Sequence, residues 1–417
     1  MARISFRRAV LAVSVALLPF ASGAATMKVS AGELSSKLAD VPANEEVEIA
    51  LVDAEPNLAS VAQIVGKRKF TLDLSECKSL KSIPARAFFL MGNLAGVKFP
   101  DTLEEIGDKA FTKTSLSSVE IPASVKKIGL FAFAETKLTN VLVPAGVSEL
   151  KAGAFAEIKT LSSIDVDSAS KSYKSEDGIL FTRDGLTIVT YPAGKSGASY
   201  EIPAGVVSVG TAAFARNESI SDVKIPESVL RICGFAFRDC PSIQKIEIPS
   251  KCVSIGRDAF DGTAIGSISI PKTVATLGEN PFNRCAKLSA ITVEEGNVAY
   301  NSNDGVLFSV TKELLRYPPA KNAKSYDIPA GTLAVGPAAF AGAVSLESVS
   351  FPDGASEIGK YSFRECKSLK SVSLSPSVRK IGRMAFFGCP PVDGLPEDFT
   401  NPSAKDYIKK TSDADAK

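Results

Sequence analysis

From Phe88 to Phe386 the apolar positions of this chain recur in one order: two β-branched or aromatic residues spaced by two, a turn, one aliphatic residue, and five residues later a phenylalanine. Clear copies run from Ile121 through Val125 and Ile128 to Phe133, and from Ile225 through Val229 and Ile232 to Phe237. The anchors are Phe88, Phe111, Phe133, Phe155, Phe214, Phe237, Phe260, Phe282, Phe340, Phe363 and Phe386, spaced by 22 or 23 residues except for gaps of 59 and 58. A fixed period in this range predicts a solenoid, because coils too small to bury their own apolar face must stack.

Within a coil the pairs Val97 and Phe99, Val119 and Ile121, Val223 and Ile225, or Val349 and Phe351 precede the anchor by fourteen and twelve residues. Period-two β-branched and aromatic residues predict a short strand with one buried face. Proline follows directly in most coils, as at Pro100, Pro122 and Pro352, and ends the strand because it has no N–H for the ladder. The aliphatic residue five before Phe, from Ile83 and Ile106 to Ile381, is a second inward position. Glycine follows it in eight of eleven coils, as at Gly107 and Gly129, which calls for positive φ or close backbone approach. Alanine precedes the Phe in nine, marking a tight site between coils.

The run Ile-Pro-x-x-Val-x-x-Ile-Gly-x-x-Ala-Phe, extended in some copies by x-x-Cys and Leu, resembles the BspA-type leucine-rich repeat family over about residues 71–391. Lys151 in place of Gly, Pro281 and Ser362 in place of Ala, and Ser375 in place of Pro depart from the pattern. The resemblance implies a curved, right-handed β-solenoid of leucine-rich repeats with one parallel sheet on its concave face. It also implies export, attachment to host proteins or other cells, and no enzyme activity.

The two long gaps match each other: Asp177-Gly178-Ile179-Leu180-Phe181 through Tyr191-Pro192 parallels Asp304-Gly305-Val306-Leu307-Phe308 through Tyr317-Pro318. Each reads as two strands about a turn, the first near Arg183-Asp184-Gly185. This predicts hairpin insertions over about residues 166–200 and 293–326, either specificity loops or spacer coils. Ahead of the array, residues 26–69 predict a small α/β cap with helices at Ala31 to Leu38 and Asn57 to Gly66 and a strand at Val47 to Val52, and Phe70 to Leu74 is expected as the first sheet strand. The solenoid then covers residues 70–393, and 394–417 is a polar tail. Residues 1–25 read as a signal peptide, with Arg3, Arg7 and Arg8, an apolar run from Ala9 to Phe20, and small residues for cleavage after Ala24 or Ala25. No later run is long and apolar enough to span a membrane, so the chain is expected to be exported, to the periplasm or the cell surface.

Composition narrows the chemistry. A net charge of +2 gives no electrostatic footprint for nucleic acid. There is no His, which removes Ser-His-Asp and Cys-His nucleophiles and imidazole zinc sites. No cofactor or metal is expected: the seven cysteines lack C-x-x-C spacing. The acidic stretches near Asp177 and Asp304 lack the alternate carboxylates of a calcium loop and read as Asp-Gly turns. Cys240, Cys285, Cys366 and Cys389 all stand three residues after an anchor Phe and Cys252 stands in a valine column, as packing thiols would. Cys366 and Cys389, on adjacent coils, form the one pair placed to bridge.

The residue between the two buried strand positions is expected to face outward, onto the concave surface. This stripe holds Lys98, Glu120, Leu142, Asp165, Glu201, Lys224, Glu247 and Asp327, and turns small and hydroxylic at Ser269, Thr292, Ser350 and Ser373. It is the candidate partner-binding surface, weighed against an ordinary solvated sheet face. The expected function is protein–protein interaction, as adhesion to host proteins or other cells. The alternative is an envelope scaffold without host binding. Partner identity and oligomeric state are not legible in the chain.

Overall fold

The inward side chains of one coil leave water only by meeting their copies one period along, and that requirement sets the architecture. The computed structural model describes residues 25–397, 399, 407 and 408. Of the expected signal peptide only Ala25 falls among them, and of the expected tail only 394–397, 399, 407 and 408. The chain is a β-solenoid whose coils pair in parallel with the coils one repeat away.

All eleven anchor phenylalanines are at most 1% exposed. Successive rings stack, with centroids 5.3 Å apart for Phe111 and Phe133, 5.6 Å for Phe237 and Phe260, and 4.9 Å for Phe363 and Phe386. Two tyrosines complete the column: Tyr191 stacks on Phe214 and Tyr317 on Phe340, each at 5.0 Å. Each long gap therefore contains a further coil. The column falls into three blocks, Phe88 to Phe155, Tyr191 to Phe282 and Tyr317 to Phe386, and the apolar core divides into three large clusters at the same junctions.

The single parallel sheet expected from the sequence is replaced by several ladders. The first uses the predicted strands, but in short pieces: Leu94–Lys98 continues a four-stranded N-terminal sheet, Asn140–Val143 pairs with Ser163–Val166, Ser199–Glu201 with Asp222–Lys224, and Ser325–Asp327 with Ser348–Ser350 and Ser371–Ser373. Near Val119 and Ile246 the side chains still point inward without strand pairing. A second ladder runs through the aliphatic position before Phe, aligning Ile83, Ile106, Ile128 and Leu150, then Val209, Ile232, Ile255 and Leu277. Two extended residues per coil suffice there because the copies lie in register.

A third set of coil-to-coil bonds surrounds the phenylalanines. The second residue before and the second after Phe have left-handed backbone, as at Phe131 (φ 51°) and Glu135 (φ 57°) around Phe133. Alternating the handedness turns every second N–H toward the following coil. Lys109, Phe111 and Lys113 thus donate to the carbonyls of Leu130, Ala132 and Ala134 at 2.8, 2.8 and 3.0 Å. The glycine after the aliphatic residue serves close approach, since a Cβ on Gly278 would lie 2.1 Å from the Arg257 nitrogen and one on Gly129 2.4 Å from that of Asp108. Neither glycine has positive φ.

The insertions each contain three strands where two were expected. Tyr173–Glu176, Ile179–Thr182 and Thr187–Thr190 form an antiparallel meander, and the third strand joins Ser208–Val209 in parallel. The second copy uses Tyr300–Asn303, Val306–Ser309 and Glu313–Arg316, joined to Ala334–Val335. Asp177 (φ 51°) and Gly178 (φ 73°) make the tight turn. The insertion caps the coils before it: the Ile164 N–H donates to the Gly178 carbonyl at 2.8 Å, and the Leu150 N–H to the Tyr173 hydroxyl oxygen at 2.7 Å. Ile291 with Gly305 and Leu277 with Tyr300 repeat both bonds at 2.8 Å. These are splices that end two ladders and restart them.

At the N-terminal end Ala25–Val29, Val47–Leu51 and Phe70–Asp73 form a parallel sheet with Leu94–Lys98, linked by helices Leu34–Ala39 and Leu58–Val65. Asn57 caps the second helix by accepting from the Ser60 N–H at 3.2 Å. Its sheet runs directly into the first ladder, so the apolar end of the stack is covered. At the other end residues 407–408 pair antiparallel with Lys380–Ile381.

Candidate interaction surfaces

On the strand side, the predicted outward residues do face solvent. Lys98, Glu120, Leu142, Glu201, Lys224, Glu247 and Asp327 are exposed and Asp165 is half-exposed. Parallel register brings Leu142 beside Asp165, Glu201 beside Lys224, and Asp327 beside Ser350. Because the first ladder is in pieces, the stripe is a series of patches. Much of its charge is already engaged: Lys98 lies 3.5 Å from Asp73, Lys224 3.9 Å from Glu201, and Lys245 2.7 Å from Glu247, while Ser350 donates to Asp327. The hydrogen bond from Lys245 holds the Glu247 carboxyl below its ordinary range. Exposed pairs of this kind contribute little to stability, because water and salt screen them.

A second surface was not legible as a site in the sequence. It is the turn edge formed by the left-handed residues flanking each Phe. Arg216 reaches Glu135 at 2.9 Å and Glu157 at 3.0 Å, tying the second block to the first. Arg238 lies 3.7 Å from Glu157 and 3.6 Å from Asp261, and Arg284 reaches Asp239 at 2.9 Å and Asp261 in a two-pronged contact. Burial pushes the Glu157 carboxyl up despite its two arginines. Half-buried aromatics lie among them, with Arg238 and Arg257 over Phe235 at 5.5 and 5.3 Å and Arg364 and Arg383 over Tyr361 at 5.9 and 6.0 Å. A cavity of about 350 Å³ opens here between Phe131, Phe235, Glu157 and Arg216. The missed signal was columnar: two residues after Phe the chain reads Lys113, Glu135, Glu157, Arg216, Asp239, and then Arg284.

The cysteines support the stack. Cys240, Cys285, Cys366 and Cys389 each donate to the carbonyl of the preceding coil's Phe, at 3.1, 3.1, 3.1 and 2.9 Å. All seven are free thiols. Burial pushes Cys240 up to about 12 and Cys252 to about 11, out of the range of reactive thiolates. Among the described residues no group of three or more Cys, Asp or Glu is placed to hold a metal ion, and no helix is long and apolar enough to cross a membrane.

The repeat matches the BspA type leucine rich repeat region over residues 71–177, 193–304 and 320–404, with both breaks starting inside a meander. The chain belongs to this family. As a BspA-type protein it is similar in structure to a leucine-rich repeat protein from Eubacterium ventriosum, with 22% identity over 86% of this chain and 92% of that one and a TM-score of 0.51. The pneumococcal vaccine antigen PcpA aligns at 22% identity over 73% of this chain and 74% of its own, with a TM-score of 0.49. A leucine rich cell surface protein from Faecalibacterium prausnitzii aligns at 22% over 85% and 84%, with a TM-score of 0.44. At these identities the BspA-type likeness is one of fold. No curated protein matches the chain.

Proposed function

We propose that this BspA-type chain is an exported recognition protein that binds another protein, on a host surface or another cell, through the strand-side residues from Lys98 to Asp327. The observation that supports this is the register: side chains 23 residues apart, such as Glu201 and Lys224, stand side by side on an exposed face, so weak polar contacts from several coils add up. A solenoid's product is surface, and the reading assigns it no catalytic activity.

A second contact face is favoured by one observation. Arginine and aromatic residues, the types that dominate binding hot spots, lie on the turn edge and not on the strand side. A partner captured from host matrix or cell-envelope extracts, then purified, decides between them. Replacing Asp222, Lys224 and Glu247 by alanine is expected to weaken binding at least tenfold; replacing Phe131 and Arg257 tests the turn edge. Unchanged affinity in the first variant removes the strand face, and in both removes the recognition reading for these surfaces. N-terminal sequencing of exported chain tests cleavage after Ala24 or Ala25.

A further inference from the structure

Each coil sets one outward side chain just ahead of its inward aliphatic residue, and the second ladder stacks these side chains into a row. In the first block the row reads Glu105, Lys127, Glu149, paired in register from coil to coil. In the third it reads Glu313, Ala334, Glu357, Lys380. Two glutamates thus flank a lysine in one block and an alanine in the other. The middle block, with Thr187, Ser208, Arg231, Ser254 and Thr276, has no acid in the row.

Lys127 shows what such a pair of acids holds. Its Nζ lies 3.2 Å from Glu105, and the hydrogen bond and charge of Glu105, with the charge of Glu149, favour its ammonium form. At Ala334 the same place opens into a cavity of about 640 Å³, lined by Glu313, Ala334, Glu357, Gly336, Pro337 and Gly359. Glu313 is half-buried and its carboxyl lies over Gly336, where a Cβ would stand 2.7 Å from Oε1. Burial, and then the charge of Glu357, push that carboxyl up, and no cation among the described residues offsets them. Three cations also border the cavity, and each is engaged: Lys380 lies 2.8 Å from Glu357, Lys360 2.9 Å from Glu279, and Arg383 over the Tyr361 ring at 6.0 Å. Glu313 is the carboxylate left over. Holding a charge out of water is costly unless it is paired, and an ammonium entering beside Ala334 would offset that cost as Lys127 does between its own two acids.

We propose that this cavity receives a lysine side chain from a partner protein, its ammonium between Glu313 and Glu357 and its alkyl stem along Ala334 and Pro337. This names one contact within the recognition reading and rests on that reading for the source of the lysine.

The test is a ligand-observed NMR titration of the full chain at pH 7.5 and low salt with Nα-acetyl-lysine methylamide, against Nα-acetyl-norleucine methylamide as the uncharged counterpart. The lysine probe is expected to bind about tenfold or more tightly, the worth of a charge-assisted pair. Glu313→Gln is expected to erase that preference. Ala334→Lys, which rebuilds the row of the first block, is expected to erase it too and to unfold at a denaturant concentration no lower than the parent's. Equal binding of the two probes by the unaltered chain overturns the proposal. So does a preference that survives Glu313→Gln, or an Ala334→Lys chain that unfolds well before the parent or keeps the preference. Neither probe needs a partner, so the pocket can fail while the recognition reading stands.

Discussion

Replacing Phe237 by alanine isolates what one place in the aromatic column is worth. The ring is fully buried, with Phe214 on one side at 5.0 Å and Phe260 on the other at 5.6 Å and only 2° from parallel. Its removal loses the apolar transfer of the ring and leaves a void that two flat neighbours and a tightly bonded backbone cannot fill, a cost of about 3 to 5 kcal/mol. Part of that is specific to stacking, about 0.5 to 1.5 kcal/mol per pair. A double-mutant cycle of Phe237→Ala with Phe260→Ala, followed by denaturant unfolding and far-UV circular dichroism, should give a coupling of that size. The same cycle with Phe340, in the next block, should give a coupling near zero, because Phe282 and Tyr317 are not stacked across the splice and effects at distant sites add. A loss below about 1 kcal/mol, or equal coupling in both cycles, refutes the column as the source of stability.

Other consequences are as specific. Gly278→Ala puts a methyl carbon 2.1 Å from the Arg257 nitrogen, and is expected to lower the unfolding midpoint by more than an ordinary helix or loop glycine change, about 1 to 3 kcal/mol. Tyr173→Phe strips the Leu150 N–H of its 2.7 Å acceptor at the first splice; about 1 to 3 kcal/mol is expected, read from denaturant midpoints. The Asp108 carboxyl is held below its ordinary range by the Leu130 N–H at 2.8 Å and by Lys151 at 3.1 Å. Its folded value lies below its unfolded one, so its contribution is full above the ordinary carboxylate range and fades as pH falls through the folded value. Asp108→Asn should therefore flatten the acid limb of a stability-against-pH curve, by less than about 1 kcal/mol at this exposed site.

The period and the inward positions were legible because each repeats one physical demand eleven times, and the cysteine column because four coils place Cys three residues after Phe. What hid in the sequence depended on single residues. Tyr191 and Tyr317 fill the Phe place, but their aliphatic partners Ile188 and Leu314 stand three residues before them instead of five, so two coils read as insertions. The left-handed positions hold Phe131, Asp258, Arg216 and Glu365 alongside glycines at Gly153, Gly262, Gly342 and Gly388, too mixed a set to mark the backbone. The glycine column after the aliphatic residue marked a different need, the 2.1 to 2.4 Å contacts at Gly278 and Gly129. Lys151, which breaks the glycine column, is explained by its side chain reaching Asp108 two coils back. The strand-side stripe followed from alternation alone, and its side chains are exposed or half-exposed; the turn edge required knowing how the backbone folds around Phe.

Amide hydrogen exchange, read residue by residue, tests the stacked-block account most directly. The N–H groups of Phe111, Phe133, Phe237, Phe260 and Phe363 each donate to the next coil, whereas among the described residues those of Phe155 and Phe282 meet no acceptor at the splices. The account predicts slow exchange for the first five and markedly faster exchange for Phe155 and Phe282, although all seven rings are equally buried. Equal protection at all seven would mean that the turn ladder runs unbroken through the splices, and would contradict it.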